Sequence, residues 1–212
     1  APKVAPALEV SELRGTTAWS LGDYVEEIVA SGFPGMRTLS PRALRFQLDS
    51  YVRNAVDRDL PELGIAVRRP EVMLGWIRAY AAATSTSASY NAILDAATPG
   101  QGDKPARETG VAYRDALTRL WLLDPVPAWQ PGGSALSRLG QAPKHHLVDP
   151  AVAARLLGLG VGHLLDGEGA ALGGAPGSML GHLWESLVTL CVRVPAQAAE
   201  ASVGHLRTRN GD

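Results

Sequence analysis

The sequence predicts a mainly α protein with minor β content, an α+β chain with a helical N-terminal part, a winged-helix-like middle and a C-terminal piece that mixes helix and strand. Three observations carry this. Apolar residues recur at helical spacing along most of the 212 residues. Helix-start signals (Asp, Ser or Pro) stand in front of those stretches. Extended patterns are confined to two short stretches, 126–129 and 203–209. The composition, 46% hydrophobic and 19% charged, is globular, and the length suits one large domain or two small ones. No internal repeat is present.

The elements follow in order. Residues 24–29 read as a short helix with Asp23 as its cap. It ends where Gly32 takes the left-handed position and Pro34 stops propagation. Pro41 opens a stronger helix, in which Leu44, Leu48, Tyr51, Val52, Ala55 and Val56 form a buried stripe. Arg45, Asp49, Arg53 and Asp57 lie away from that stripe and read as a solvated face. Pro70 opens the next helix, with Val72, Trp76, Ile77, Tyr80 and Ala83 on its apolar side and the Ser/Thr run 84–87 at its end.

A helix-turn-helix pattern comes next. Residues 89–97 form a short helix around Ile93 and Leu94, and 98–105 are turn residues. Thr109 is placed to cap a helix that buries Tyr113, Ala116, Leu117, Leu120 and Trp121, until Pro125 and Pro127 stop it. Three helices followed by the extended 126–129 resemble a winged helix.

Asp149 and Pro150 mark a sharp helix start, and Gly158 and Gly160 its end. A Gly-rich loop spans 167–177. Ser178 then caps a helix with Leu180, Leu183, Trp184, Leu187 and Cys191 on one face. Residues 203–209 read as a strand, and Asn210-Gly211 as a two-residue hairpin turn. The turn lacks a return strand and the first residue is Ala, so the expectation is of a chain cut from a longer one.

The bulk chemistry narrows the function classes. Net charge is −1, from 20 Lys+Arg and 21 Asp+Glu, so bulk charge drives no attraction to nucleic acid or an acidic membrane. The single cysteine, Cys191, rules out an intrachain disulfide and suits a reducing cytoplasm. No apolar run approaches the ~20 residues of a transmembrane helix. Hydrolase-elbow, zincin, dithiol and dinucleotide motifs are absent from the sequence.

Several stretches carry a family resemblance. They are Gly32-Phe33-Pro34-Gly35, residues 51–59, Thr109, Tyr113, Leu117, residues 120–129, residues 143–150 with Leu156 and Leu157, and residues 181–185. Their order and spacing resemble the DUF-4143 region at the C-terminal end of bacterial and archaeal ATP-binding proteins. The resemblance implies an ATPase domain ahead of this chain, which would hold ATP and Mg2+ and act as a partner. This chain has no phosphate loop of its own: Gly100 to Lys104 lacks the required spacing. Residues 1–69 then become a helical linker region, 70–149 the winged-helix-like module, and 150–212 the start of a truncated PD-(D/E)-x-K nuclease-like α/β domain. In such a nuclease a helix Glu and a strand Asp hold a divalent metal. The resemblance assigns the helix Glu to Glu185, with the remaining ligands beyond Asp212, so no metal is expected within this chain.

The expected function is therefore a non-catalytic accessory region making protein-partner or nucleic-acid contact. A truncated metal-dependent nuclease and a winged-helix DNA-binding regulator are the alternatives. Arg107, Arg114 and Arg119 in or near the recognition helix, and Lys144, are the candidate nucleic-acid contacts. Their bland reading is a solvated face beside Glu108 and Asp115, and Lys144 reads as an exposed strand-entry residue. Glu185 alone reads as a solvated helix residue. His182 and Glu185 share a helical face, but two residues do not make a metal site, and adjacent His145 and His146 point apart. Trp76, Trp121 and Trp184 fall on apolar faces and read as core.

Overall fold

Ser20 closes the first helix. Its hydroxyl accepts from the Asp23 backbone N–H at 3.3 Å, and the Asp23 carboxylate accepts from the Ser20 N–H at 2.5 Å. This reciprocal pair satisfies free amides at the helix start, so the helix begins earlier than Asp23 alone would place it. In the computed structural model, which describes residues 15–97, 107–129, 142–169 and 179–206, this helix is α1 (Leu21–Ala30). Ser40 caps α2 (Pro41–Asn54) with Pro41 in its first turn. The helix then widens into a π-helical turn, Ala55–Asp59, where the Leu60 N–H reaches back to the Ala55 carbonyl, and closes in a short turn of helix, α3 (Leu60–Glu62). Pro61 supplies the cause, since it donates no N–H and its ring crowds the preceding turn.

α4 (Pro70–Ala82), α5 (Tyr90–Ala97) and α6 (Arg107–Arg119) follow; α4 packs on the π turn, α5 on α4 and α6 on α5. α7 (Pro150–Leu156) is the hub. It is capped by the Asp149 carboxylate at 2.7 Å from the Ala151 N–H, and Pro150 through Ala154 are all buried. Its three alanines let α1, α2, α4 and the last helix approach it closely. α8 (Val161–Leu165) and the 20-residue α9 (Met179–Ala198) complete the described helices. One buried cluster runs from Val25 on α1 through Tyr80 and Leu117 to Leu183 on α9.

Asp149 does more than cap. Its Oδ2 accepts from the Ser31 hydroxyl and the Gly32 N–H, both at 2.7 Å, and so joins the end of α1 to the start of α7. Ser31, rather than Gly32, takes the positive φ of 67°. The two buried hydrogen bonds to Asp149 offset the backbone cost, about 1–3 kcal/mol for such a conformation.

The β component is slight. Extended residues 122–128 run beside 144–148 through bridges at Leu123–Leu147 and Val126–Lys144, and His205 bridges Ala128. On its far edge His145 exchanges backbone hydrogen bonds with Ser85 and Thr86. Among the described residues these are isolated bridges and no sheet forms. Gly204 fits here because a Cβ at that position would sit 2.7 Å from the Trp129 Cβ.

These findings correct the expected fold class. The protein is mainly helical, and the nuclease-like α/β C-terminal piece is overturned, since no sheet stands behind α9 among the described residues. The 203–209 strand shrinks to the single His205 bridge, with 207–212 outside the described residues. The winged-helix-like middle has its three helices, but its extended arm pairs by single bridges rather than as a hairpin wing. Thr109 lies inside the first turn of α6 rather than capping it, because the helix already starts at Arg107. Two tryptophans were misplaced. Trp76 is buried, whereas Trp121 turns outward where the chain leaves α6 at φ 58°, and Trp184 faces solvent.

Candidate functional site

α9 has two faces of opposite character. Inward, Met179, Leu183 and Ser186 are buried against the core. The helix carries only two residues that are charged at neutral pH, Glu185 and Arg193, and both pair with the bridged segments while staying partly exposed, Glu185 to 40% and Arg193 to 29%. The Lys144 Nζ lies 2.5 Å from the Glu185 carboxylate. Arg193 lies 2.7 Å from the Asp124 carboxylate and also donates to the Asp124 carbonyl at 3.3 Å. The Ser85 hydroxyl donates to the His182 carbonyl at 2.7 Å and fixes the first turn of the helix.

His146 lies among these groups. It follows Lys144 by two residues on the bridged segment, so both side chains share one side of it. It is 3% exposed, and its Nδ1 has no hydrogen-bond partner among the described residues. Burial, then Lys144, Arg193 and the neighbouring His145 and His205, push its pKa down to about 3. It is therefore neutral across the physiological range. Burial also lowers His182, with Lys144 acting in the same direction and Glu185 against it. Burial raises Asp124, which Arg193 counteracts.

His145 points the other way. Its Nε2 meets the Ala88 carbonyl at 2.7 Å and its Nδ1 the Tyr80 hydroxyl at 3.3 Å. A carbonyl only accepts, so Nε2 carries the proton and Nδ1 accepts from the tyrosine. Tyr80 and Tyr90 pack edge-on to the ring at 5.0 and 4.9 Å. This histidine is a satisfied core residue.

Outward, α9 presents Trp184, Val188, Val192 and Val194, exposed to 46%, 39%, 48% and 62%, together with Cys191. Glu185, 40% exposed and three residues ahead of Val188, borders them on one side. Trp184, Val188 and Val192 recur every fourth residue, which makes a second apolar stripe on a helix whose first stripe is already buried.

The sequence candidates divide accordingly. Lys144 and Glu185 meet directly, which no sequence spacing indicated. Arg114 stacks over the Tyr90 ring at 4.9 Å and pairs with Asp115 at 2.6 Å. Arg119 is exposed at the end of α6, and the Arg107 side chain lies outside the described residues. The described residues hold no group of three or more His, Cys, Asp or Glu able to bind a metal, and Glu185 has an ammonium rather than further carboxylates beside it. Asp212 also lies outside the described residues. The sequence reading missed Asp124, Arg193 and the outer stripe. The stripe was legible in the four-residue recurrence from Trp184, but the assignment of Trp184 and Cys191 to the buried face hid it.

Residues 21–161 match a family described as a domain of unknown function (DUF8612). This match corrects the expected DUF-4143 resemblance, and no link to an ATPase accompanies it. The matched stretch runs from α1 to the first residue of α8 and contains Lys144 and Asp124 but not α9. No curated protein and no solved structure matches the chain.

Proposed function

The chain belongs to the DUF8612 family, and we propose that it is a non-catalytic contact module whose outer α9 face pairs with the same face of a second copy. One observation carries the reading: a 20-residue helix engages both of its charges in ion pairs and leaves an apolar stripe of Trp184, Val188, Cys191 and Val192 exposed. A helix apolar on two sides gains by covering both. A face without Lys or Arg offers nothing to phosphate, which disfavours nucleic acid as its occupant. Two identical apolar stripes, each with its bordering Glu185 already paired to Lys144, meet with little like-charge repulsion, and a two-fold pairing needs no second surface. The mutual pairing of Lys144 with Glu185 and of Arg193 with Asp124 supports a structural rather than a chemical role for the inner face. The lone, unbridged Cys191 supports a reducing, cytoplasmic setting.

Sedimentation equilibrium tests this. The 22.3 kDa chain should sediment as a dimer, and Val188→Glu should return it to monomer with an unchanged far-UV spectrum. Thiol labelling at Cys191 should be slow in the dimer and fast in the variant. A chain that stays monomeric at ~100 μM, with Cys191 labelled at the rate of a free thiol, overturns the proposal.

Among the described residues no helix is long and apolar enough to cross a membrane.

A further inference from the structure

A second feature lies away from α9. α1, α2, α7 and α8 enclose a cleft of about 610 Å3, within the range of small-molecule sites. Its wall is aliphatic, formed by Val29, Leu44, Leu48, Ala151, Ala154 and Leu159. Its charged lining is unequal, with three guanidinium groups, Arg37, Arg45 and Arg155, against the single carboxylate of Glu26.

Two of these arginines are held in place. Arg37 forks onto Glu27 at 2.6 and 3.0 Å, and Arg155 onto Asp49 at 2.8 and 2.7 Å. Neither Glu27 nor Asp49 lines the cleft. Arg45 has no ion-pair partner among the described residues, and it stands on the same helix as Leu44 and Leu48. The Asp149 junction ties the end of α1 to the start of α7, two of the elements that wall the cleft.

From the aliphatic wall and the unpartnered guanidinium at its rim, we infer that this cleft binds a small amphipathic monoanion, with its hydrocarbon body against Val29, Leu44, Leu48 and Leu159 and its carboxylate at Arg45. A chain of about ten carbons fits a space of this size. A guanidinium suits the head group, because its planar fork donates two parallel hydrogen bonds to a carboxylate. The inference is independent of the α9 contact, since none of the lining residues lies on α9.

Isothermal titration of the full chain with decanoate, and in parallel with decanol, tests it. Decanoate is expected to bind at one site per chain, and decanol at least tenfold more weakly. Arg45→Glu, an exposed change that leaves folding intact, is expected to weaken decanoate tenfold or more and leave decanol unchanged, while Arg45→Lys recovers part of the loss. An absence of saturable decanoate binding overturns the inference. So does equal affinity for acid and alcohol, or an Arg45→Glu chain that binds decanoate as the parent does. Repeating the titration with Val188→Glu separates the two proposals: retained binding there leaves the cleft standing whatever happens to the dimer.

Discussion

The two faces of α9 are both largely apolar and end in opposite environments. Leu183 on one side is fully buried, while Val192 on the other is nearly half exposed. The charges behave differently: Glu185 and Arg193 lie against the protein, only partly exposed, because Lys144 and Asp124 stand across from them on the bridged segments. The comparison teaches that burial here is decided by what stands opposite a side chain and not by its own polarity. A carboxylate with an ammonium across from it can sit against the protein, whereas a valine with nothing across from it stays in water.

The sharpest way to break the comparison is Leu183→Ala. The inner face should lose about 2–5 kcal/mol, the range for truncating a buried leucine, read as a lower denaturation midpoint at unchanged m-value. A loss below about 1 kcal/mol would mean that the inner face is not packed as described.

Acid comes next. His146 has a folded pKa of about 3 against about 6.5 for a free histidine, so between those values the unfolded chain binds the proton and the folded chain does not. Stability is therefore intact above about pH 6.5 and falls as the pH drops toward 3, at up to about 1.4 kcal/mol per unit for this group. His145 and His182, also lowered by burial, act in the same direction. Asp124, whose pKa is raised, opposes them just above the ordinary carboxylate range. Stability curves between pH 7 and 4.5 should thus slope more gently in His146→Leu than in the parent. Identical slopes would show that His146 gains its proton without opening the inner face.

The Lys144–Glu185 pair is smaller. Its side chains keep 28% and 40% of their exposure, so solvent screening limits it. A double-mutant cycle with both residues changed to Ala should give a coupling of about 0.5–1 kcal/mol, diminished by salt. The smallest effect belongs to the outer face. Trp184→Ser in the monomeric Val188→Glu background should change stability by no more than about 0.5 kcal/mol. A larger loss would place Trp184 in the core after all.

Much of the helical layout was legible in the sequence. Pro41, Pro70 and the Asp149-Pro150 pair each open a helix as their chemistry dictates, because proline lacks only an N–H that the first turn does not use. The stripes from Leu44 to Val56 and from Val72 to Ala83 are buried or partly buried, because helical periodicity puts them on one side whatever lies opposite. Tertiary structure decided the rest. It paired Asp49, read as solvated, with Arg155 across 106 residues, and joined Lys144 to Glu185 across 41. It moved the strained backbone from Gly32 to Ser31, where Asp149 reaches the hydroxyl. It turned Trp121 and Trp184 outward, and it reduced the expected strands to isolated bridges. Periodicity shows that a residue shares a face with its neighbours along the chain. Only the fold determines which face finds a partner, because that partner comes from residues far away in sequence.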